Sequence, residues 1–405
     1  MKITGVRTFL MQAGSPGETA WSAAGRPGSG KTGASFGSSR NWLFVKIDTD
    51  AGITGIGECS GWPRVVETAV KDLAVLLIGE DPQDIERLWQ KLYVAQMGHG
   101  LTGVVGAGAI TGLDMALWDI KGKALGTPVW NLLGGRVRDR IRLYGHASTP
   151  AKALSLKARG YTAVKAGGVA GTVAKVAAIR DAVGAEMDLM VDLHGPPWLT
   201  PADAIAMGRA LAPFNLLFLE DPVAPDNLDA FARVRDALDL PLAAGERFAT
   251  IWGARPLIER ELVDVIQPDT GRFGGLSQLR KLAAMAEAHH ITVAPHSGSL
   301  GPVAEFAAIH LLAAIPNALM LERVEDDWPE RDTVITAPPV IEAGHALVPT
   351  APGLGVDIDE AAVARFPSRR NVGDAAGQYE PGTEREHLYV QTRFRRSRAF
   401  EGSKP

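Results

Sequence analysis

The pattern of hydrophobic and polar positions divides the chain into three zones, and the first zone ends near residue 125. Alternating positions predict strands, and apolar positions at helical spacing predict helices. Strands are expected over residues 1–10, 41–49 and 52–59, and helices over 66–78, 81–93 and 103–125. Because strands followed by helices are typical of α+β units, we predict an N-terminal α+β domain over residues 1–125.

The second zone alternates short apolar runs with amphipathic helices. The runs are residues 141–144, 163–165, 189–192, 216–220, 242–246, 263–267, 292–296 and 318–322. Parallel strands that are buried on both faces are nearly continuous in apolar residues. Eight such runs separated by helices are what an α/β barrel of the (β/α)8 type requires, so we predict a barrel over residues 126–323.

Two further segments lack a periodic pattern. Residues 13–40 are rich in Gly, Ser, Ala and Thr and predict a long mobile loop. Residues 324–405 are rich in loops and end in a polar tail with an arginine cluster. For that cluster we expect a solvated tail or a subunit contact.

Composition excludes several classes of protein. The chain has 42 Lys and Arg against 46 Asp and Glu, a net charge of −4, which gives no electrostatic basis for binding nucleic acid or an anionic membrane. Cys59 is the only cysteine and cannot form an internal disulfide. The first residues lack the apolar core of a signal peptide, and no stretch approaches the roughly 20 apolar residues of a membrane span. We therefore expect a cytoplasmic protein.

An ionisable residue stands at or just after the end of seven of the apolar runs, at intervals of 23 to 28 residues. These residues are Lys165, Asp192, Glu220, Glu246, Asp269, His296 and Glu322. One βα unit of a barrel occupies about that length, so the side chains should converge at the C-terminal mouth. Charged groups gathered there repel or lose hydration unless they bind something, so the ring predicts an active site.

Three carboxylates of the ring, Asp192, Glu220 and Glu246, belong to successive runs. They repel one another strongly unless a cation lies between them, and ligation by oxygen alone suits Mg²⁺. The alternative is that the three acids are separate helix caps or salt bridges. The spacing therefore predicts a magnesium site.

The histidines supply candidates for proton transfer. Asp269 and His296 end neighbouring runs, so the carboxylate can orient and charge the imidazole, which indicates a base near the metal. His194 lies two residues after Asp192 and would face the same side of an extended chain, as a proton donor or as a loop histidine that caps backbone groups. His146 follows the first run and is a candidate substrate contact. The histidines expected to be packed or surface residues are His289, His290 and His310.

Residues 25–32 match the phosphate-loop pattern G-x-x-x-x-G-K-T, which raises the alternative of a nucleotide-binding protein. That chemistry needs a buried strand before the loop and a helix after it. The flanking sequences ETAWSAA and GASFGSS are neither, so we expect the match to be coincidental.

Six stretches of the chain are specific enough to compare with known families. They are AITGLDMALWDIKGKALGTPVWNLLGG (109–135), VDLHG (191–195), FLEDP (218–222), LAAGER (242–247), IQPDTGRFGG (266–275) and APHSGSLGP (294–302). Together they resemble the mandelate racemase subgroup of the enolase superfamily, and within it the galactonate-dehydratase-like acid-sugar dehydratases. The resemblance implies an N-terminal α+β capping domain, a modified (β/α)7β TIM-like barrel and a C-terminal segment that returns to the cap. The loop over 13–40 would then cover the substrate.

The resemblance also implies roles for the ring. Asp192, Glu220 and Glu246 match the Mg²⁺ ligands of the family. His296 with Asp269 matches its His–Asp dyad. The other implied catalytic groups are His194, as the extra histidine of these dehydratases, and Glu322, which would hydrogen-bond the substrate carboxylate. The expected substrate contacts are Lys165, Arg247, His146 and Trp62.

Gly167 departs from the racemase pattern, in which a second lysine follows the equivalent of Lys165. The departure favours a one-sided reaction, the Mg²⁺-dependent dehydration of an aldonate or aldarate to a 2-keto-3-deoxy acid. His296 would remove the proton at C2 to give an enediolate, and His194 would protonate the departing 3-hydroxyl. A lactone cycloisomerase, an epimerase and a non-catalytic binding protein remain alternatives. The family resemblance further implies a homo-oligomer.

Overall fold

The computed structural model describes residues 1–13, 40–169, 171–193, 198–298, 300–325, 328–368 and 390–391. Most of the predicted mobile loop lies outside the described residues, and so does the phosphate-loop match at 25–32. His194 and the arginine cluster of the tail are outside them as well. The predictions made for these residues stay predictions.

An antiparallel sheet and a set of helices form the first zone. The strands, in sheet order, are β1 (Ile3–Ala13), β2 (Arg40–Thr49) and β3 (Thr54–Cys59), and the helices are α1 (Pro63–Ala74), α2 (Ile85–Met97) and α3 (Val104–Ala124). A short helix, α4 (Val129–Leu132), follows this zone. Apolar side chains of the sheet, such as Leu43 and Val45, share one core with Leu113 of α3. The predicted α+β architecture is confirmed.

Two helix starts differ from the prediction. α1 begins at Pro63 rather than at residue 66, because the fixed φ of proline suits the first helical turn. α2 begins at Ile85 rather than at residue 81. The residues before it form a turn in which the Gln83 amide donates to the Asp81 carboxylate, which competes with helix formation.

The barrel occupies the second zone. Its strands are β4 (Arg140–His146), β5 (Ala163–Gly167), β6 (Asp188–Asp192), β8 (Phe218–Glu220), β9 (Leu242–Ala244), β10 (Val265–Ile266), β11 (Thr292–Val293) and β12 (Leu321–Arg323), with a short β7 (Trp198–Leu199) outside it. The helices between them are α5 (Pro150–Ala158), α6 (Thr172–Val183), α7 (Pro201–Leu211), α8 (Leu228–Arg235), α9 (Thr250–Glu259), α10 (Gly275–Ala288) and α11 (Pro302–Ala314). β12 pairs in parallel with β4, and a bridge between Val293 and Ala318 joins the last two strands, so the barrel closes. The predicted (β/α)7β barrel is confirmed.

One apolar side chain from each barrel strand fills the interior. The layer consists of Tyr144, Ala163, Met190, Phe218, Ala243, Val265, Ala294 and Met320. In an extended strand, residues i and i+2 point to the same side. The residue two positions after a layer member therefore points into the barrel as well, one level nearer the mouth. In six of the strands that residue is ionisable: His146, Lys165, Asp192, Glu220, His296 and Glu322.

Helix α3 joins the first zone to the barrel and is buried on nearly all sides. Its Asp114 accepts hydrogen bonds from the hydroxyl and the amide of Ser277 on α10, at 2.6 and 3.1 Å. Trp118 donates to the same hydroxyl at 3.0 Å. Although α3 is 21 residues long, neither it nor another helix of the described ranges is both long and apolar enough to cross a membrane.

The C-terminal segment contacts both parts of the molecule. It contains β13 (Ile341–Glu342), β14 (His345–Leu347) and α12 (Glu360–Ala364), and a last short strand, β15 (Val390–Gln391), pairs with β7. β14 pairs antiparallel with β4. Glu360 forms ion pairs with Arg7 and Lys46 of the first sheet, at 3.0 and 2.9 Å. The domain boundaries expected at residues 125 and 323 stay a prediction.

Candidate active site

Every strand of the barrel contributes one ionisable side chain at or just beyond its C-terminal end. In strand order these are His146, Lys165, Asp192, Glu220, Glu246, Asp269, His296 and Glu322. Six of the eight are buried, whereas the His296 side chain is 12% exposed and that of His146 is 41% exposed. The seven residues of the predicted series do come together, and His146 completes the circle between the first strand and the last.

Lys165 lies among three carboxylates. Its ammonium group is 2.7 Å from Glu322, 2.8 Å from Glu220 and 3.5 Å from Asp192. Burial by itself would lower the pKa of Lys165, but the attraction of Glu220 and Glu322 outweighs it and holds that pKa well above its usual value. The lysine therefore stays a cation and compensates the charge of the acids around it.

Glu220 is the least compensated of these acids. One oxygen accepts from Lys165, whereas Oε1 is buried and has no hydrogen-bond partner among the described residues. Burial, followed by repulsion from Asp192, raises the pKa of Glu220 to about 8. A second cation beside this oxygen would relieve both effects.

His296 is held by carboxylates at both ring nitrogens. Nδ1 lies 2.7 Å from Asp269 Oδ2, and Nε2 lies 2.8 Å from Glu246 Oε2. Burial disfavours the imidazolium, but the charges of Glu246 and Glu322 prevail and hold the pKa of His296 well above its usual value. Contact with Asp269 fixes the ring orientation and leaves Nε2 as the nitrogen that faces the mouth residues.

Glu322 is a buried carboxylate with several donors. It accepts from the amides of Ser297 and Gly298 at 2.8 and 2.9 Å, and its Oε1 lies 2.6 Å from Nε2 of His146. Burial would raise its pKa, but Lys165 and His296 outweigh that effect and lower it well below the usual value. Glu322 therefore stays ionised, and the cations and amides around it compensate its charge.

The four predicted substrate contacts lie in different parts of the structure. Arg247 lies at the mouth, where it pairs with Asp221 and Glu246 and stacks over the Trp198 ring at 4.9 Å. Trp62 is in the loop between β3 and α1, and half of its surface is exposed. Lys165 and His146 belong to the ring described above. The structure therefore places Arg247, Lys165 and His146 at the mouth, and the role of Trp62 stays a prediction.

Other residues that the sequence series did not include also lie at the mouth, among them Ser60 and Asp221. Ser60, at the end of β3, donates from its hydroxyl to Asp269 at 3.1 Å. Asp221 follows Glu220 and pairs with Arg247. The acid at 221 is visible in the FLEDP motif, but no spacing argument indicates where a residue of the first sheet meets the barrel.

The donors of the predicted magnesium site have suitable chemistry for a hard cation. They are three buried carboxylates from successive barrel strands, and one oxygen of Glu220 has no partner within the described ranges. As the side chains stand, however, no three His, Cys, Asp or Glu groups of the described chain are arranged to hold a metal ion. Lys165 pairs with two of the acids, and Arg247 and His296 pair with Glu246. An ion would therefore have to replace some of these pairs.

Comparisons with known proteins add a family assignment. The model of the mandelate racemase / muconate lactonizing enzyme N-terminal domain matches residues 32–134, and the enolase C-terminal domain-like model matches residues 149–362. A D-galactonate dehydratase of Ralstonia pickettii (strain 12J) is 38% identical over 348 residues, which cover 80% of this chain and 90% of that protein. A D-galactonate dehydratase of Variovorax paradoxus (strain S110) is 39% identical over 345 residues, 79% of this chain and 89% of that protein.

Solved structures resemble the whole described architecture. The 3,6-anhydro-D-galactonate cycloisomerase from Zobellia galactanivorans has a TM-score of 0.81 and 30% sequence identity, covering 91% of this chain and 100% of that chain. A mandelate racemase/muconate lactonizing enzyme-like protein from Roseovarius sp. TM1035 has a TM-score of 0.80 and 33% identity, covering 92% and 96%. Both the sequence matches and the structural matches therefore include the cap and the barrel.

Proposed function

The chain belongs to the mandelate racemase and muconate lactonizing enzyme family of the enolase superfamily, and on that basis we propose that it is a hydro-lyase that dehydrates a sugar acid. The substrate would be an aldonate or aldarate with hydroxyls at C2 and C3, and the product a 2-keto-3-deoxy acid. D-galactonate is the first candidate, because the relatives at 38% and 39% identity are D-galactonate dehydratases.

One observation carries this proposal. The imidazole of His296, oriented by Asp269, shares a buried mouth with Lys165 and Glu322. Removal of a proton next to a carboxylate needs a base on one side and a concentration of positive charge and hydrogen-bond donors around the carboxylate oxygens. The His296–Asp269 pair supplies the first requirement. Lys165 and the donors around Glu322 supply part of the second.

We assign Asp192, Glu220 and Glu246 as the residues that would hold Mg²⁺. When bound, the ion would supply Lewis-acid stabilisation of the negative charge that develops on the substrate carboxylate. Support comes from the donor chemistry, from the raised pKa of Glu220 and from its unpartnered oxygen. Glu246 would exchange its contact with His296 for the new one, which would remove the nearer carboxylate from Nε2 of His296 and leave Oε2 of Glu322 at 3.8 Å.

Different side chains would carry out the two proton transfers. His296 takes the proton from C2 at Nε2, and Asp269 stabilises the imidazolium through Nδ1. Lys165 and His146 donate hydrogen bonds near Glu322, where the carboxylate of the enediolate would lie. His194 protonates the departing 3-hydroxyl, a role that rests on the sequence alone. The resulting enol tautomerises to the keto acid.

A lactone cycloisomerase is the second candidate, because a cycloisomerase is among the structures most similar to this chain. The same base could remove a proton in either reaction, so the ring does not distinguish the two. The difference lies in the product, since dehydration alone releases a 2-keto acid with loss of water.

The proposal is tested by incubating the protein and Mg²⁺ with a panel of aldonic and aldaric acids, D-galactonate first. Keto-acid formation is scored with semicarbazide, and the products are identified by mass. We expect a loss of one water from at least one acid, absent in the His296→Asn variant. Formation of an epimer or a rearranged lactone without loss of water would contradict the dehydratase proposal. The cytoplasmic location and the homo-oligomer expected from the sequence stay predictions.

A further inference from the structure

The end of β3 reaches from the first sheet into the barrel mouth. The hydroxyl of Ser60 donates to Oδ1 of Asp269 at 3.1 Å, and the Ser60 amide donates to the carbonyl of Gly271 at 2.7 Å. Both residues of this contact are buried. One residue of the first sheet is therefore attached by two hydrogen bonds to the barrel loop that contains the acid of the proposed dyad.

The close approach depends on the residue at 271. A Cβ added to Gly271 would lie 2.9 Å from Cβ of Ser60 and 2.8 Å from a methyl carbon of Leu300. Contacts this short are not tolerated, so a side chain at this position would push the two segments apart. The Gly271 amide also donates to Oδ1 of Asp269 at 2.8 Å, so this oxygen accepts one hydrogen bond from its own loop and one from Ser60.

The same strand end also contacts the segment that follows His296. Glu58, on β3, accepts hydrogen bonds from the amides of Gly301 and Ala304 at the start of α11, at 2.5 and 2.9 Å. A carboxylate at this position is favourable, because the first amides of a helix lack partners within the helix. Residues 58–60 thus fix the loops on both sides of the His296–Asp269 pair.

We propose that Ser60 is a positioning residue for the base, and that through Ser60 the first sheet fixes the orientation of Asp269 toward His296. Two donors on Oδ1 prevent rotation of the carboxylate, so that Oδ2 stays aimed at Nδ1 of the imidazole. Without the hydroxyl, only the Gly271 amide would hold Oδ1. The base would then spend less time in the orientation from which Nε2 can take the proton. This inference rests on the proposed function.

The test compares Ser60→Ala with Ser277→Ala. Ser277 is the matched control, because its hydroxyl donates to Asp114 at the same interface, also in a buried position, but does not contact the dyad. Each purified variant is assayed with the acid that the wild type dehydrates fastest, D-galactonate first, for kcat, KM and exchange of the C2 proton in D2O. Melting temperatures report the cost to stability of each lost hydroxyl.

We expect Ser60→Ala to lower kcat and the C2 exchange rate together by about tenfold, with KM within about twofold, since one hydrogen bond to a charged group is lost. Ser60→Thr, which retains the hydroxyl, should recover most of the rate. Ser277→Ala should lower the melting temperature and leave kcat within about twofold. A Ser60→Ala variant with the kcat of the wild type, or an equal loss in Ser277→Ala, would overturn the proposal.

Two further measurements apply if Ser60→Ala does not fold or if the wild type is inactive. If Ser60→Ala does not fold, Ser60→Cys replaces it, because a thiol is a similar size but a weak donor, and the same loss of rate is expected. If the wild type dehydrates no acid, the proposed function fails, but the positioning role of Ser60 can still be tested by NMR. The proton on Nδ1 of His296, identified by NMR from its loss in His296→Asn, should shift in Ser60→Ala and not in Ser277→Ala. An unshifted resonance would refute the positioning role.

Discussion

Nε2 of His146 lies 2.6 Å from Oε1 of Glu322, and this pair joins the first and last strands of the barrel at its mouth. The two members differ in access to solvent, since the side chain of His146 is 41% exposed and that of Glu322 only 1%. A ligand that enters the mouth can therefore reach the imidazole, whereas Glu322 is covered by the groups that donate hydrogen bonds to it. His146 stands out as the accessible member of the polar ring.

The first prediction concerns this histidine. We expect His146→Gln to raise KM about tenfold with a smaller change in kcat, because the variant loses a charge-assisted donor near the substrate carboxylate but retains the base. Steady-state kinetics with the best acid of the panel measure both constants. The control is His289→Gln, which removes a histidine paired with Glu261 on the surface, 3.2 Å away, and should leave both constants unchanged. A fall in kcat alone would contradict a binding role for His146.

The second prediction concerns the base. His296→Asn should lower the exchange of the C2 proton in D2O by about 10²- to 10⁴-fold, because asparagine cannot accept that proton. NMR of the recovered substrate measures the exchange directly, without the need for turnover. Circular dichroism of the variant should match that of the wild type. Undiminished exchange in a folded variant would remove His296 from this role.

The third prediction separates the two proton transfers. His194→Asn should block release of the keto acid and leave exchange at C2 measurable, because the base is intact while the acid for the 3-hydroxyl is missing. Both processes are followed in the same NMR sample. Simultaneous loss of exchange and dehydration in a folded variant would contradict the division of roles between His194 and His296.

The ring could be predicted from sequence because a parallel barrel presents the C-terminal ends of its strands at one face. Spacing along the chain was therefore enough to bring Lys165 and Glu322 together, although they are far apart in sequence. Spacing does not determine which cation pairs with which acid. That choice depends on side-chain length and burial, and the structure pairs Glu246 with both Arg247 and His296.

Ser60 shows the limit of that reasoning. It directly follows β3 of the first sheet, and its contact with Asp269 depends on how that sheet packs against the barrel. The hydrophobic pattern of the chain does not predict such a contact, because the pattern reports the faces of single strands and helices and not how two domains pack together. Two helix starts were predicted wrongly for local reasons. Pro63 extends α1 toward its N-terminus, and the turn at Asp81 moves the start of α2 to Ile85. The fold class itself followed from the order of apolar runs.

The fourth prediction concerns the metal. Chelation should abolish dehydration and added Mg²⁺ should restore it. In wild-type protein Mg²⁺ should also raise the melting temperature, because a ligand that binds only the folded state stabilises it. Glu220→Gln should lose most of that rise, since one anionic donor is removed. Full activity after exhaustive chelation, or an unchanged rise in the variant, would contradict the assignment of Glu220 as a ligand.

His310 on α11, expected from sequence to be a packed or surface histidine, is buried between α4 and the C-terminal segment. Its Nδ1 accepts from the Trp130 amide at 3.1 Å, and Nε2 donates to the Leu354 carbonyl at 3.0 Å. Because Nδ1 is an acceptor, the ring must be neutral to make both bonds. Burial lowers the pKa of His310 to about 4.

The last prediction follows from the sign of that shift. A histidine whose pKa is lower in the folded state stabilises the protein above its unfolded pKa, near 6.5, and loses that contribution as the pH falls through about 4. Burial raises the pKa values of Glu58 and Asp114 to about 7, so these acids change the free energy of unfolding with pH in the opposite direction. The pH dependence of the wild-type stability alone therefore does not isolate His310.

The difference in free energy of unfolding between wild type and His310→Gln, measured in urea at several pH values, does isolate it. We expect the wild-type advantage to be greatest at pH 7 and to shrink by about 3 kcal/mol toward pH 4. A difference that does not change with pH would mean that the buried imidazole is not the titrating group.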